Sequence, residues 1–147
     1  MDIRDANITD IDNLSVLFNS YRMFYGKESN IEIAKEFISS RINTNDSKIY
    51  VCESNNYLCG FVQLYPLFSS TRVSKSWLLN DLFVDSKERG KGYSKLLINK
   101  AKELVKNTDA CGMMLETEKT NKIGNSLYLA TGFQKNDLSN FYEWTSN

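Results

Sequence analysis

Apolar positions along the chain recur at two spacings, every second residue in some stretches and every third or fourth in others. "DIRDA" at the N-terminus reads as a short opening strand. Thr9 then offers an N-cap with Asp12 three residues on. Ile11, Leu14, Phe18, Tyr21 and Tyr25 follow at helical spacing, ending near Gly26. Ser29 with Glu32 predicts a second helix start, with Ile33, Ala34, Phe37 and Ile38 as its apolar face. "KIYVCES" and "YLCGFVQLYPLF" flank Asn55 and Asn56 and predict a hairpin. "VSKSWLLNDLFV" is a third consecutive strand, reached through the polar turn 69–71. Then comes "SKERGKGYSK", and after it a helix with Leu97, Ala101, Leu104 and Val105 on one face and Lys95, Asn99, Lys102 and Lys106 opposite. "CGMMLET" reads as an apolar strand, "NKIGNSLYLATGF" as a short helix closed by Gly132, and "NFYEW" as a last strand. The order β-α-α-β-β-β-α-β-α-β predicts an α/β fold. Its sheet is mixed and mostly antiparallel, flanked by about four helices and parallel where a helix crosses over. At 147 residues without a linker or repeat, residues 1–147 are expected to form one domain.

Composition narrows the function classes more than the fold. Lys and Arg balance Asp and Glu at a formal net charge of zero, which gives no support to nucleic-acid or membrane partners. Any anion site must be local. The N-terminus "MDIRDANITDID" is polar and acidic where a secretory leader would be basic and then apolar. Three cysteines (Cys52, Cys59, Cys111) are odd in number and lack C-x-x-C spacing, and the chain has no histidine. A zinc enzyme and a Ser-His-Asp hydrolase are therefore disfavoured, and no metal is expected. Reduced cytoplasm is the expected compartment.

The turn between the third strand and its helix carries the chemistry. Gly90 and Gly92 stand among Arg89, Lys91 and Lys95, with Tyr93 and Ser94 at the helix start. A helix beginning just after Gly92 presents N–H groups without intrahelical partners and the positive end of its dipole. Glycines let a phosphate approach the backbone with no Cβ in the way. The pattern lacks the P-loop's G-K-[ST] and the third glycine of the dinucleotide fingerprint, where Lys95 stands. Two readings remain at this point: a pyrophosphate cradle, or a solvated basic turn that caps a helix.

"LFVDSKERGKGYSKLLI" resembles the signature of the GNAT superfamily of acetyl-CoA-dependent N-acetyltransferases, a strand followed by [QR]-x-x-G-x-[GA] and a helix. Arg89, Gly92 and Ser94 take the three positions, with Ser94 replacing glycine or alanine. "NKIGNSLYLATGF" resembles the family's N-x-x-A-x-x-L-Y-x-x-x-G-F, with Gly124 in place of alanine. The resemblance implies acetyl-CoA as co-substrate. The amides of Arg89, Gly90, Lys91, Gly92, Tyr93, Ser94 and Lys95 would hold its pyrophosphate. The backbone of Leu82 and Val84 would pair with the pantetheine arm as an added strand. Asn121 would contact the amide arm, and Tyr128 would protonate the departing thiolate. Outside that context Tyr128 reads as a core aromatic of an amphipathic helix.

The acceptor side is less defined. Asn80 falls where polyamine-type relatives have a glutamate, and Asp81 follows it. Strand alternation puts Asn80 on the side of Leu82 and Val84, with Asp81 opposite. An amide cannot take the proton of an attacking ammonium, so a carboxylate or water relay must, and Asp81 reads either as that acceptor or as the strand's polar anchor. "YRMFYG", "QLYPLFSS" and Trp77 resemble the acceptor pocket of the small-amine (polyamine-like) branch, through cation–π contact. Core or dimer packing explains the same rings equally well. The expected activity is transfer of acetyl to a primary amine of a small molecule by direct attack, in a homodimer. The alternatives are a coenzyme A-binding sensor or idle family member, and an acetyltransferase acting on a protein or peptide amine.

Overall fold

The chain opens with β1 (Asp2–Asp5) and passes through one 3-10 turn, Ile8–Asp10, into α1 (Ile11–Phe24). The cap is Asn7 with Asp10, two residues earlier than Thr9 with Asp12. Asn7 accepts the Thr9 N–H at 2.9 Å, and Asp10 Oδ2 accepts the Asn7 N–H at 2.8 Å. Arg4 on β1 decides between the two: its guanidinium donates to both Asp10 oxygens, at 2.8 and 2.9 Å, whereas Asp12 pairs at the surface with Lys35. The helix ends at Tyr25 and Gly26, as expected. α2 (Ile31–Thr44) starts from Asn30 rather than Ser29, because Asn30 Oδ1 accepts the Ile33 N–H at 3.2 Å.

Asn55 and Asn56 both take left-handed backbone, φ 53° and 60°, the geometry of a two-residue turn between twisted strands. They join β2 (Lys48–Ser54) to β3 (Tyr57–Ser69), which pairs in turn with β4 (Ser74–Val84). α3 (Tyr93–Asn107) then crosses to β5 (Met113–Met114). The sheet order is β1-β2-β3-β4-β5, antiparallel except for the parallel β4–β5 pair, as a crossover helix requires. Pro66 is tolerated within β3 because the register with β2 ends at Leu64, leaving no ladder on that side for it to break.

Each face of the sheet has its own core. Leu14, Leu17 and Phe18 of α1 and Ala34 and Ile38 of α2 bury against Ile49, Val51, Phe61 and Phe83. On the other face Leu97, Ile98, Ala101 and Leu104 of α3 are buried, and Trp77 Nε1 donates to Thr108 Oγ1 at 2.9 Å. Val105, expected on the inner face, lies half-buried at its edge.

This computed structural model describes residues 1–146, which divide into two compact units, Met1–Glu116 and the segment from Thr117 on. The second unit contains α4 (Lys122–Ala130), closed by Thr131 and Gly132 as expected. Two expected strands differ. The strand over 111–117 shrinks to β5, and 140–144 forms no strand among the described residues. A strand persists only through its ladder, and alternating aromatics do not supply one: Phe141, Tyr142 and Trp144 are 68%, 85% and 89% exposed.

Candidate active site

The middle of β4 contains a bulge that sets the site's geometry. Leu79 stands opposite Leu64 on β3 and Asp81 opposite Gln63, so Asn80 is an extra residue with no partner. Ahead of the bulge, odd-numbered residues turn their backbone toward β5: Lys75 O accepts the Cys111 N–H at 2.8 Å, and the Trp77 N–H donates to Gly112 O at 3.1 Å. Beyond it the sense reverses. The Asp85 N–H donates to Cys59 O on β3 at 2.8 Å, so by alternation Asp81 and Phe83 face β3. Leu82 and Val84 therefore turn their backbone groups to the opposite edge. Pairing with β5 stops at Leu78, so among the described residues that edge has no strand partner. The same reversal places Trp77 and Leu82 on one sheet face despite their opposite parity.

A short 3-10 turn, Ser86–Glu88, follows β4. Asp85 caps it by accepting the Lys87 N–H at 3.0 Å and takes a further bond from the Tyr57 hydroxyl. That bond holds the Asp85 carboxyl below its usual range and pushes the Tyr57 phenol up to about 12. Gly90 and Gly92 both adopt positive φ, 81° and 83°, and an added Cβ on either would meet nothing within 4 Å. The space over both glycines is open. Gly92 is the N-cap of α3, and the first helical bonds run from Lys95 and Leu96 to its carbonyl at 3.1 and 3.3 Å. The N–H groups of Tyr93 and Ser94 precede those bonds, so they point outward with the dipole's positive end. Lys91 pairs with Glu88 at 2.7 Å, which raises its pKa. Arg89 Nε donates to Val84 O at 3.2 Å, and its guanidinium lies 5.7 Å from the Phe24 ring and 5.6 Å from that of Phe83. A diphosphate fits this turn: positive-φ glycines and outward N–H groups border open space, with Arg89 and Lys91 on the same turn.

Asn80 is exposed and Asp81 is 4% exposed. Asp81 Oδ2 accepts from Gln63 Nε2 at 2.6 Å and Oδ1 from Asn80 Nδ2 at 3.0 Å, while the Tyr21 hydroxyl, 3.4 Å from Asn80 O, also favours the charged carboxylate. Gln63, wholly buried, accepts in turn from Ser47 Oγ at 2.8 Å. Burial raises the Asp81 pKa against these bonds, and no ion pair among the described residues offsets it. The bulge thus lets Asn80 reach round to Asp81, which simple alternation had put on the other side.

The aromatic stretches divide. Tyr21 is half-buried, with Phe24 and Tyr25 exposed beyond it, whereas Trp77 is core to α3 and Phe68 is 83% exposed. Tyr65 is pushed up to about 12 by burial. In the unit from Thr117 on, Asn121 caps α4: its Oδ1 accepts the Gly124 N–H at 3.1 Å and its Nδ2 donates to Thr117 Oγ1 at 2.9 Å. A Cβ on Gly124 would lie 2.4 Å from Asn121 Nδ2, so glycine there admits the cap. Tyr128 packs edge-on to Phe133 at 5.8 Å. Leu82, Val84 and Arg89 to Lys95 are thus gathered on one strand-turn-helix, while Asn121 and Tyr128 belong to the second unit. The sequence reading missed Tyr21 and Gln63 as partners of Asp81; a lone glutamine in the apolar run "GFVQLY" was the available signal.

The sequence model of the acetyltransferase (GNAT) family matches residues 14–133. This chain belongs to the GNAT acetyltransferase family. It is 37% identical over 135 residues to an uncharacterized N-acetyltransferase of Bacillus subtilis (strain 168), YhfO, covering 92% of this chain and 91% of that one. The crystal structure of a probable acetyltransferase superposes with TM-score 0.94 at 32% identity, covering 100% of this chain and 99% of that one. A Clostridium acetobutylicum protein, a predicted acetyltransferase solved with acetyl-CoA, shares the fold at TM-score 0.78 and 17% identity, with 97% and 95% covered. The GNAT-like α/β fold, with a five-stranded mixed sheet and four helices among the described residues, is thus the family's, and the chain is an acetyltransferase enzyme.

Proposed function

We propose that this acetyltransferase, acting as one domain over residues 1–147, moves acetyl from acetyl-CoA to a primary amine of a small molecule by direct attack. The observation that carries the reading is the glycine turn at the start of α3, continuous with an unpaired β4 edge. The amides from Arg89 to Lys95 hold the pyrophosphate, and Leu82 and Val84 pair with the pantetheine arm. The Val84 carbonyl also accepts from Arg89 Nε at 3.2 Å, and its second lone pair is the one left for the arm. Asn121 contacts the arm, and Tyr128 returns a proton to the thiolate, a role its phenol can fill at neutral pH. Asn80, an amide, is no base. The amine proton leaves through water, with Asp81 as an indirect acceptor. Phe24, Tyr25 and Tyr21 beside the bulge support a small cationic acceptor by cation–π contact. The exposed aromatics Phe141, Tyr142 and Trp144 support a homodimer, and three free cysteines a cytoplasmic setting.

Calorimetry with acetyl-CoA on the parent and Gly92→Val tests the cradle. Valine brings a branched Cβ into the phosphate's approach, so binding should be lost in protein whose circular dichroism is native. Parent-like binding by Gly92→Val places the pyrophosphate elsewhere.

A further inference from the structure

Asp81 is a carboxylate that the exposed bulge cannot present to an amine, since it is 4% exposed. One side chain connects the two. Tyr21, from α1, directs its hydroxyl to Asn80 O at 3.4 Å, at the surface of the bulge, and the same hydroxyl is a neighbour that favours the charged form of the Asp81 carboxyl. Its ring packs at 6.2 Å against Phe83, which lies under Arg89. The hydroxyl therefore has one side toward a buried acceptor and the other toward the bulge. Its place along β4 is also informative. An arm entering from the turn at Arg89 and pairing with Val84 and then Leu82 next reaches Asn80, about 3.3 Å further per residue. The reacting end of such an arm arrives where Tyr21 is.

We propose that Tyr21 is a catalytic proton relay, taking a proton from the acceptor amine while passing its own to Asp81, with Gln63 as the positioning residue that fixes the carboxylate. The proposal rests on the acetyl transfer proposed above and puts Tyr21 in the place given there to water, with Asp81 still the indirect acceptor. The steps balance. An ammonium gives one N–H proton to Tyr21 Oη as the Tyr21 O–H proton moves to Asp81 Oδ, leaving a neutral amine. The nitrogen lone pair forms the N–C bond to the thioester carbonyl and the C–S bond breaks. The nitrogen's second proton replaces the one given to the sulfur, and Asp81 returns its proton to solvent by the reverse path.

The groups facing Asp81 are Tyr21 from α1, Gln63 and Tyr65 from β3, and Asn80 from β4, with Ser47 behind Gln63. All three hydrogen-bond donors are neutral. The charged pair Arg41 and Asp46 acts on Tyr65. Nothing among these neighbours competes with Asp81 as a base, and burial favours its protonated form, which suits a group that must take a proton on demand.

A purely structural Tyr21 would satisfy the same buried carboxylate, so the test needs readouts that packing alone does not move. The parent, Tyr21→Phe, Asp81→Asn and the double variant are compared in acetyl transfer to a panel of primary amines, with kcat/KM followed against pH. Acetyl-CoA affinity is measured alongside. In the free proteins, carbon-13 NMR of the Asp81 carboxyl gives its titration in the parent and in Tyr21→Phe. The relay predicts a loss of ~10²–10⁴-fold for each single variant, with acetyl-CoA affinity retained. The double variant should be no worse than the poorer single, since both interrupt one path. In Tyr21→Phe the rate should climb with pH toward the amine's own pKa, about 10.4, instead of levelling off lower. The Asp81 titration should move up, because a donor to its charged form is gone. Parent-like kcat/KM and pH profile in Tyr21→Phe, or losses that simply add in the double variant, would overturn the relay alone. A parent that binds acetyl-CoA but acetylates no amine would overturn both the relay and the proposed function.

Discussion

At the scale of single residues, two carboxylates show how the same group is set to opposite tasks. Asp10 is held by Arg4, whose double hydrogen bond keeps its pKa below the ordinary range, while Asp81 is raised by burial among neutral donors. The stability consequences have opposite signs. Asp10, and Asp85 likewise, contributes stability that is present above the ordinary carboxylate pKa and lost as pH falls through its lowered value. Asp81 contributes most below the ordinary carboxylate pKa, and that part is lost as pH rises through its raised value. Urea midpoints of the parent and Asp81→Asn, followed from about pH 4 to about pH 8, should show the variant gaining on the parent as pH increases. A pH-independent difference would mean that Asp81 titrates as an ordinary carboxylate. Asp10→Ala removes the acceptor for the Asn7 N–H and leaves Arg4 paired with the Glu53 carboxylate, at 2.7 Å, and the Asp5 carbonyl. Urea denaturation should report a loss of about 0.5–2 kcal/mol, the range for a lost helix cap. These settings were not legible in the sequence. Arg4, Asp10 and Glu53, or Ser47, Gln63, Tyr21 and Asp81, meet only once strands and helices from distant segments pack.

At the scale of elements, local conformation was readable and long-range pairing was not. The Asn55–Asn56 turn and the ends of α1 and α4 follow from residues that take positive φ or stop a helix, so a short window contains the cause. Caps moved by one or two residues because the asparagine amides accept instead of the neighbouring hydroxyls, Asn7 from the Thr9 N–H and Asn30 from the Ile33 N–H. The bulge at Asn80 is invisible in β4's own sequence, since it exists only as a mismatch of register with β3. It nevertheless decides which backbone groups face the open edge. The glycine turn lies between these cases: its φ values were implied by the sequence, its open space was not. Gly92→Ala tests the separation. With nothing near the new Cβ, the protein should lose only the left-handed strain of an L-residue, about 1–2 kcal/mol by chemical denaturation. Gly124→Ala differs in kind, because the Cβ displaces Asn121 from its cap. Hydrogen exchange should then quicken across α4 while α3 keeps its protection; unchanged exchange in α4 would show that the cap contributes nothing.

For the whole molecule, the family is settled by the match over residues 14–133, whereas the acceptor depends on side chains that the family pattern does not specify. Tyr128 is where the two meet. Tyr128→Phe keeps the ring that packs on Phe133, so folding should hold while turnover falls ~10²–10⁴-fold if the phenol protonates the thiolate. Equal turnover, with chemistry rate-limiting, would remove Tyr128 from the mechanism. The central claim is transfer from acetyl-CoA to a small primary amine. The most direct measurement is free-thiol release from acetyl-CoA, run in parallel with polyamines, amino acids, aminoglycosides and peptides, and with product mass for each. The account predicts thiol release matched by a mono-acetylated small amine, with peptides inert. Release matched only by acetylated peptide, or none with any amine despite bound acetyl-CoA, would contradict it.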